Sequence, residues 1–282
     1  MKTIFSNHNM FGAIALALLL AVSTPVLAQM EKASLISVGH TNVLDTYLSQ
    51  EKATGLELRY TWEKANRKPL KARTDSTTVS PASHLCESSN TPALSHWSYL
   101  FTQEAFVTKA GTRGNSNSFL GAIYNLRYGW HYNIDPKPLN IRFGLLGDFV
   151  LGALYNTRNS NNPAQMRLAL NIDPSVLATW RFNIKGRPFA LRYEAVMPAL
   201  GIAFSPNYGQ SYYEIFTRGN YDHNVVFVSP FSGVQLHQML TFDFRLWRTT
   251  FTVGYLGDIR QMRANSLKYH QYTHAFTFGW RY

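Results

Sequence analysis

The chain has very little cysteine. Its 282 residues include one, Cys86, so no disulfide can form within it. A disulfide-stapled secreted scaffold is therefore excluded. Charge is scarce too: Asp, Glu, Lys and Arg make up 15% of the residues, where a soluble domain usually carries about 25%. Long apolar runs are missing apart from "MFGAIALALLLAV", Met10 to Val22. That run is too short for a membrane-spanning helix, which needs about 20 residues. What the chain does have is aromatic residues, 14%, and a formal charge of +11. The basic residues are scattered rather than gathered into one patch, so nucleic acid is not an expected partner.

The start of the chain explains its one apolar run. Lys2 gives a basic start, Met10–Val22 an apolar core, and Val26 and Ala28 stand in A-x-A-like positions. This is the pattern of a secretory signal peptide, 1–28, cut after Ala28. No cysteine follows the cleavage region, so no lipoprotein signal is expected. The exported chain must be stable without disulfides and without a helical anchor.

Beyond Gly55 the apolar residues recur with period two, the signal of strands. Leu56, Leu58, Tyr60 and Trp62 alternate with Gly55, Glu57, Arg59 and Thr61. Leu120, Ala122, Tyr124, Leu126, Tyr128 and Trp130 alternate with Asn125, Arg127, Gly129 and His131. Similar alternation runs through 97–107, 141–155, 166–181, 189–195, 236–246, 251–258 and 274–282. "SLISVGH" is a weaker first strand. The second face is small or polar while the first is aliphatic and aromatic. That is a barrel in lipid turned inside out relative to a soluble sandwich, and closure removes the unpaired edges that hydrocarbon does not tolerate.

The expected fold is all-β: one domain, 29–282, forming a transmembrane antiparallel up-and-down β-barrel of about ten strands. "SYYEIF" and "NVVFV" in the long loop 204–234 could pair as a further hairpin and make twelve. "LWRTTF", "NIKGRP" and "NIDPKP" are expected as tight periplasmic turns. "TNVLDTYLSQEKA", "KAGTRGNSN", "YNTRNSNNPAQ", 204–234 and "GDIRQMRANSLKYHQ" are expected as longer external loops. The Ser/Thr/Pro-rich stretch 63–96 breaks that asymmetry and is expected as a mobile insertion. The closing "THAFTFGWRY" puts Phe276, Phe278 and Trp280 toward lipid. Phe278, Trp280 and Tyr282 resemble the C-terminal signal that the barrel-assembly machinery reads, which makes that machinery an expected partner.

The lumen should then carry charges of both signs, among them Arg142, Asp148, Arg167, Asp173, Arg192, Glu194, Asp243 and Arg245. Internal ion pairs that plug and stiffen the barrel are the simplest reading. A narrow path for a small solute is the alternative. A wide pore is not expected, since open channels use about 16–18 strands.

The loop "GQSYYEIFTRGNYDHN" offers Tyr208, Tyr212, Tyr213, Asn220 and Asn224 as external binding residues. It also holds the one candidate catalytic set, Ser211, Glu214, Asp222 and His223. A serine needs a base to take its proton, and a rim Ser–His pair is the arrangement of an outer-leaflet lipid hydrolase. No G-x-S-x-G is present. Tyr155-Asn156 and Ser160-Asn161 resemble part of an outer-membrane phospholipase motif, but Arg158 stands where its catalytic His belongs. A binding loop is the simpler reading. His223, His237, His270 and His274 lack zinc-type spacing, so no metal or other cofactor is expected. Expected partners are outer-membrane lipids and lipopolysaccharide, met by rim Lys and Arg, and the barrel is expected to be a monomer.

Four stretches carry a family resemblance: "LYNTRNSNNPAQMRLALNIDPS", "FSPNYGQSYYEIFTRGNYDHN", "LTFDFRLWRTTFTVGYLGD" and "LKYHQYTH". They resemble an uncharacterised outer-membrane β-barrel family of Bacteroidetes, known only as a domain of unknown function. The resemblance covers nearly all of the mature chain. It implies an outer-membrane location and supplies no reaction. It also makes Asp75-Ser76-Thr77 similar to the O-glycosylation acceptor of that phylum.

Overall fold

The structure, a computed structural model, describes residues 29–69, 94–114, 117–159 and 162–282. The expected signal peptide, Asp75–Thr77, Cys86 and Ser160-Asn161 lie outside the described residues.

Twelve strands form one antiparallel sheet. The first five are β1 (Gln29–Asp45), β2 (Ser49–Pro69), β3 (Leu94–Thr112), β4 (Ser118–Ile134) and β5 (Leu139–Asn156). β6 (Ala164–Ile184), β7 (Arg187–Val196) and β8 (Leu200–Phe204) follow. A short helix, α1 (Tyr212–Phe216), precedes β9 (Val225–Val228), β10 (Leu236–Leu246), β11 (Thr249–Ala264) and β12 (Leu267–Arg281). Neighbours in sequence pair with each other, except that β7 pairs with β10 and β6 also pairs with β8. Ten strands close the barrel where β1 meets β12, Ala33 opposite Arg281 and Asp45 opposite Tyr269. Lys32 and Tyr282 complete the closure by exchanging backbone hydrogen bonds of 2.9 Å in both directions.

β8 and β9 are the two extra strands. They arise because one wall strand is broken at Met197–Ala199. β7 pairs with the lower part of β6, Ser175 opposite Val196, and β8 resumes along the upper part, Ile172 opposite Leu200. Pro198 sits in the break, where its missing N–H leaves no ladder bond to lose.

The parity expected from the sequence holds around the barrel. Leu58, Trp97, Trp130, Leu145, Leu170, Trp180 and Phe276 are exposed on the outside, while Glu57, Ser98, His131, Leu146, Asn171, Thr179 and Thr277 beside them are buried. Such an exterior belongs in hydrocarbon. Aromatic pairs gather toward one end, including Trp62–Phe101, Trp97–Tyr132, Trp180–Phe182 and Phe189–Phe242. The tight turns at Lys185-Gly186 and Trp247-Arg248 lie at that same end. Lys185, Gly186 and Trp247 have positive φ.

Three expectations need correction. The strands run well past their apolar segments, so Glu63–Pro69 and Leu94–His96 are strand rather than insertion. The outer loops shrink likewise: the first is the turn Thr46–Leu48, and the last is Asn265-Ser266, both with positive φ as a two-residue hairpin turn requires. Among the described residues only 205–235 is a long loop. "SYYEIF" is a helix, not a strand, because Ser211 and Glu214 form a capping box that starts one. "NVVFV" does form a strand, but it pairs with β8, Phe204 opposite Val225.

The lumen is also less polar than expected. Val43, Leu48, Phe119 and Leu154 form an apolar cluster near the loop end. Leu100, Leu146, Leu177 and Val196 form another, and Leu35, Met239 and Leu256 a third. Alternation separates inside from outside. It does not require every inward residue to be small or polar.

Candidate functional site

The centre of the lumen is filled by a charged belt. β2 places Glu57 and Arg59 two residues apart on its inner face, so Arg59 Nη2 reaches Glu57 Oε1 at 2.6 Å. The same guanidinium meets Glu104 of β3 at 3.0 Å and Asp258 of β11 at 2.7 Å. Arg260 bonds Asp258 at 3.0 Å and Glu104 at 3.3 Å. The free oxygen of Glu57 accepts from Thr273 at 2.7 Å and Gln271 at 2.8 Å. Arg59 also lies under the Phe106 ring, 4.2 Å from its centroid. Its side chain is 1% exposed. Buried ions are tolerated only when paired and hydrogen-bonded, and here each one is.

A second network lies near the turn end. Arg192 holds Glu31 at 2.9 Å and Asp243 at 2.5 Å. Arg181 reaches Glu31 at 3.2 Å, and Arg281 reaches Asp243 and Glu63 at 3.4 and 3.6 Å. Of the expected lumen charges, Arg142, Asp148, Arg167, Arg192 and Asp243 join ion pairs. Asp173 and Glu194 are buried, with no ion pair within 4.0 Å among the described residues. Arg245 has the inward parity, but it sits beside the Trp247-Arg248 turn and is exposed. Glu31, Asp45 and Glu63 were missed because their segments read as pre-barrel, loop and insertion. Extending the period-two pattern one turn further would have found them.

The loop end carries the other candidate site, 205–224. Asn224 is buried and donates to Gln210 Oε1 at 2.7 Å and to the Ser205 carbonyl at 3.2 Å. Asn265, from the β11–β12 turn, donates to the carbonyls of Ser205 and His223 at 3.0 and 2.9 Å. Tyr47 donates to the Gln210 carbonyl at 2.9 Å and packs edge-on against Tyr212. These contacts fasten the loop over the barrel mouth. Burial pushes the Tyr212 phenol up. The hydrogen bond from the Ser211 backbone N–H holds the Glu214 carboxyl below its ordinary value.

The catalytic set is not assembled. Ser211 Oγ accepts from the Glu214 N–H at 3.2 Å, as the cap of α1. His223 pairs with its neighbour Asp222 at 2.5 Å and its side chain is 81% exposed. No hydrogen bond joins Ser211 to His223 among the described residues. The binding set divides. Tyr208, Tyr213 and Asn220 are exposed, whereas Tyr212 is tied to Gln165 at 3.0 Å and Asn224 is internal. Phe216 and Tyr221, not singled out from the sequence, stand exposed beside them.

Glu104, His237 and Asp258 bring ligand atoms within 4.8 Å of one another in the belt. Arg59 and Arg260 already bond both carboxylates, supplying the positive charge a cation would bring. No metal is assigned there.

Residues 21–281 match the model of a family described as "Protein of unknown function (DUF3316)". The chain belongs to DUF3316. No curated protein matches the chain. Among solved structures, this DUF3316 barrel is similar to the transport unit of the autotransporter AIDA-I from Escherichia coli. Identity is 7%, coverage 97% of this chain and 98% of that one, and the TM-score 0.42. The translocator domain of NalP from Neisseria meningitidis is 10% identical, covers 98% and 96%, and scores 0.37. Ail of Yersinia pestis is 8% identical, covers 89% and 98%, and scores 0.30. Likeness at this level carries no functional argument.

Proposed function

We propose that this DUF3316 protein is a sealed outer-membrane barrel that works by binding through its ordered outer loop. The observation that carries the reading is the construction of 205–224. Buried Asn224 and Gln210 and half-buried Asn265 fix its backbone, while Tyr208 (68% exposed), Tyr213 (60%) and Tyr221 (64%) point away. Rigid tyrosines offer large contact area at low entropic cost. Lys52, Lys109, Arg113, Arg218, Arg263 and Lys268 are exposed around the same end, which suits anionic lipopolysaccharide. The apolar run Met10–Val22 and the cleavage pattern at Ala28 support export. The filled belt disfavours a channel, and the separated Ser211 and His223 disfavour a hydrolase.

The test is lipopolysaccharide retention by the purified barrel in detergent. The wild type should hold it in a salt-sensitive manner. Tyr208→Ala/Tyr213→Ala/Tyr221→Ala should weaken retention at least tenfold while heat-modifiable gel mobility stays normal. Equal retention by both proteins overturns the binding reading. In planar bilayers no stepwise current should rise above background, and reproducible steps would restore the narrow channel.

A further inference from the structure

The outer face of the barrel is not the same all round. Strand register fixes which outward residues lie side by side on β11, β12, β1 and β2. Toward the turn end the rows are apolar: Val253, Phe278, Ile36 and Tyr60, then Tyr255, Phe276, Val38 and Leu58. The next rows turn polar. His274 lies beside His40, Tyr272 beside Asn42, and His270 beside Gln261. The last row is cationic, with Arg263 directly opposite Lys268. Ten residues separate Tyr272 from Tyr282. On a strand tilted by about 40° they span about 25 Å, the height of the apolar band. The polar rows therefore stand where that band ends, and the cations stand beyond it.

The polar rows are tied to one another. Gln261 donates to the Tyr272 hydroxyl at 2.6 Å, His270 Nε2 meets Asn42 Oδ1 at 3.0 Å, and the Tyr255 hydroxyl meets His274 Nδ1 at 2.5 Å. The cations have no such partners. Arg263, Lys268 and Lys52 are exposed, and none makes an ion pair within 4.0 Å among the described residues. Glu51, next to Lys52, has the other parity and accepts from Asn117 at 3.2 Å. β11 also ends its pairing early on the side away from β12. β10 begins at Leu236 opposite Ile259 and β9 pairs only with β8, so Arg260–Ala264 border a break in the wall. The segment 229–235 covers that break in part, its Ser232 carbonyl accepting from the Arg263 N–H at 2.7 Å. The arrangement is confined to this face. Across β3, β4 and β5 no polar tier intervenes: Lys109 stands directly between Leu56 and Leu120, and Leu120 beside Tyr155.

We propose that the outer face of β11, β12 and β1 is a docking face for one molecule of lipid A, the membrane end of lipopolysaccharide. The order of the rows matches the order of its parts. Acyl chains lie on Phe276, Phe278 and Val38. Sugar hydroxyls meet the tier of Tyr272, Asn42 and His270. A phosphate sits between Arg263 and Lys268. Like charges directly opposite on neighbouring strands destabilise a sheet, so an anion held between these two relieves a repulsion as well as forming charge-assisted hydrogen bonds. The inference rests on the lipopolysaccharide reading above, but it does not use the loop tyrosines.

Native mass spectrometry of the barrel folded in detergent micelles, with monophosphoryl lipid A added, tests it. The wild type should carry one lipid A. Arg263→Gln/Lys268→Gln should cut the lipid-bound fraction at least tenfold with normal heat-modifiable mobility. Lys109→Gln/Arg113→Gln removes equal charge from the outer end of β3 and should leave the fraction unchanged. Gln261→Leu/His270→Leu should lower it several-fold. Phosphatidylglycerol, anionic but without sugar rings, should bind at least tenfold less. Equal losses in the two charge variants overturn the face, and equal binding of phosphatidylglycerol overturns the sugar tier. A change in oligomeric mass in Arg263→Gln/Lys268→Gln, with lipid A binding unaltered, would make the face a protein contact and overturn the proposal. Loss confined to Tyr208→Ala/Tyr213→Ala/Tyr221→Ala overturns the face and leaves the loop reading standing. A wild type that carries no lipid A overturns the partner itself.

Discussion

Arg59 and Arg167 are both buried in the lumen, yet their surroundings differ. Arg59 meets three carboxylates, on its own strand, on β3 and on β11, and a ring covers it. Arg167 has Asp45 and the face of Tyr269, with one donor left unpartnered. The first lies where every strand is paired on both sides. The second lines a small cavity behind the break between β9 and β11. Around Arg59 the interior is filled and the charges are matched by direct ion pairs. Where β9 does not pair with β11, Arg167 has a single carboxylate partner and a small space lies beside it.

The most severe way to break this contrast is to open the continuous wall. Deleting Trp280–Tyr282 removes the backbone exchange with Lys32 and the end of the closing strand. The truncated chain should yield no heat-modifiable folded species, and normal membrane insertion would refute the closure account. Next in size, Arg59→Met leaves buried carboxylates without their partner. It should cost about 3–5 kcal/mol, read as a lowered denaturant midpoint in micelles. Adding Glu57→Gln and Glu104→Gln should recover most of the loss, because the uncompensated charge goes with them.

A smaller effect sharpens the other side. Gly233 has a positive φ and no room for a Cβ against β11. Gly233→Val should strain the covering segment by about 1–3 kcal/mol. Faster amide exchange at Arg260–Arg263, with β1–β3 unchanged, is the expected signature. The smallest effect is at the helix cap. Ser211→Ala should cost about 1 kcal/mol locally, seen as faster proteolysis of 205–224. Glu214's side-chain contribution has a set pH window. Its carboxyl is held below its ordinary value, so the contribution is complete above the ordinary carboxylate range. It fades as pH falls through the lowered value, and loop proteolysis should rise at acid pH in the wild type more than in Glu214→Gln.

The sequence made the continuous wall legible and left the break hidden. Period-two patterning is a local property, so Leu56–Trp62 or Leu120–Trp130 announced both strand and facing. Inward Arg127, Asp148 and Asp243 followed from parity alone. Which arginine meets which carboxylate depends on the curvature of the barrel: Arg59 and Asp258 are distant in sequence. Strand ends were under-read because polar residues continue β1, β2 and β11 beyond their apolar stretches. The helix at Tyr212–Phe216 hid behind aromatic residues that favour strands, although Ser211-x-x-Glu214 carried its signature. The gap beside β11 has only Gly233 as a local sign, and that residue does not say that β9 will fail to pair with β11.

Amide hydrogen exchange of the micelle-folded barrel tests the contrast between the two regions most directly. The account predicts strong protection in β1, β2, β3 and β12 around the Arg59 belt. It predicts exchange at least a hundredfold faster along Val225–Val228 and Arg260–Ala264, where the ladder is missing on one side. Uniform protection across both regions would mean that the wall closes completely, and would contradict the account.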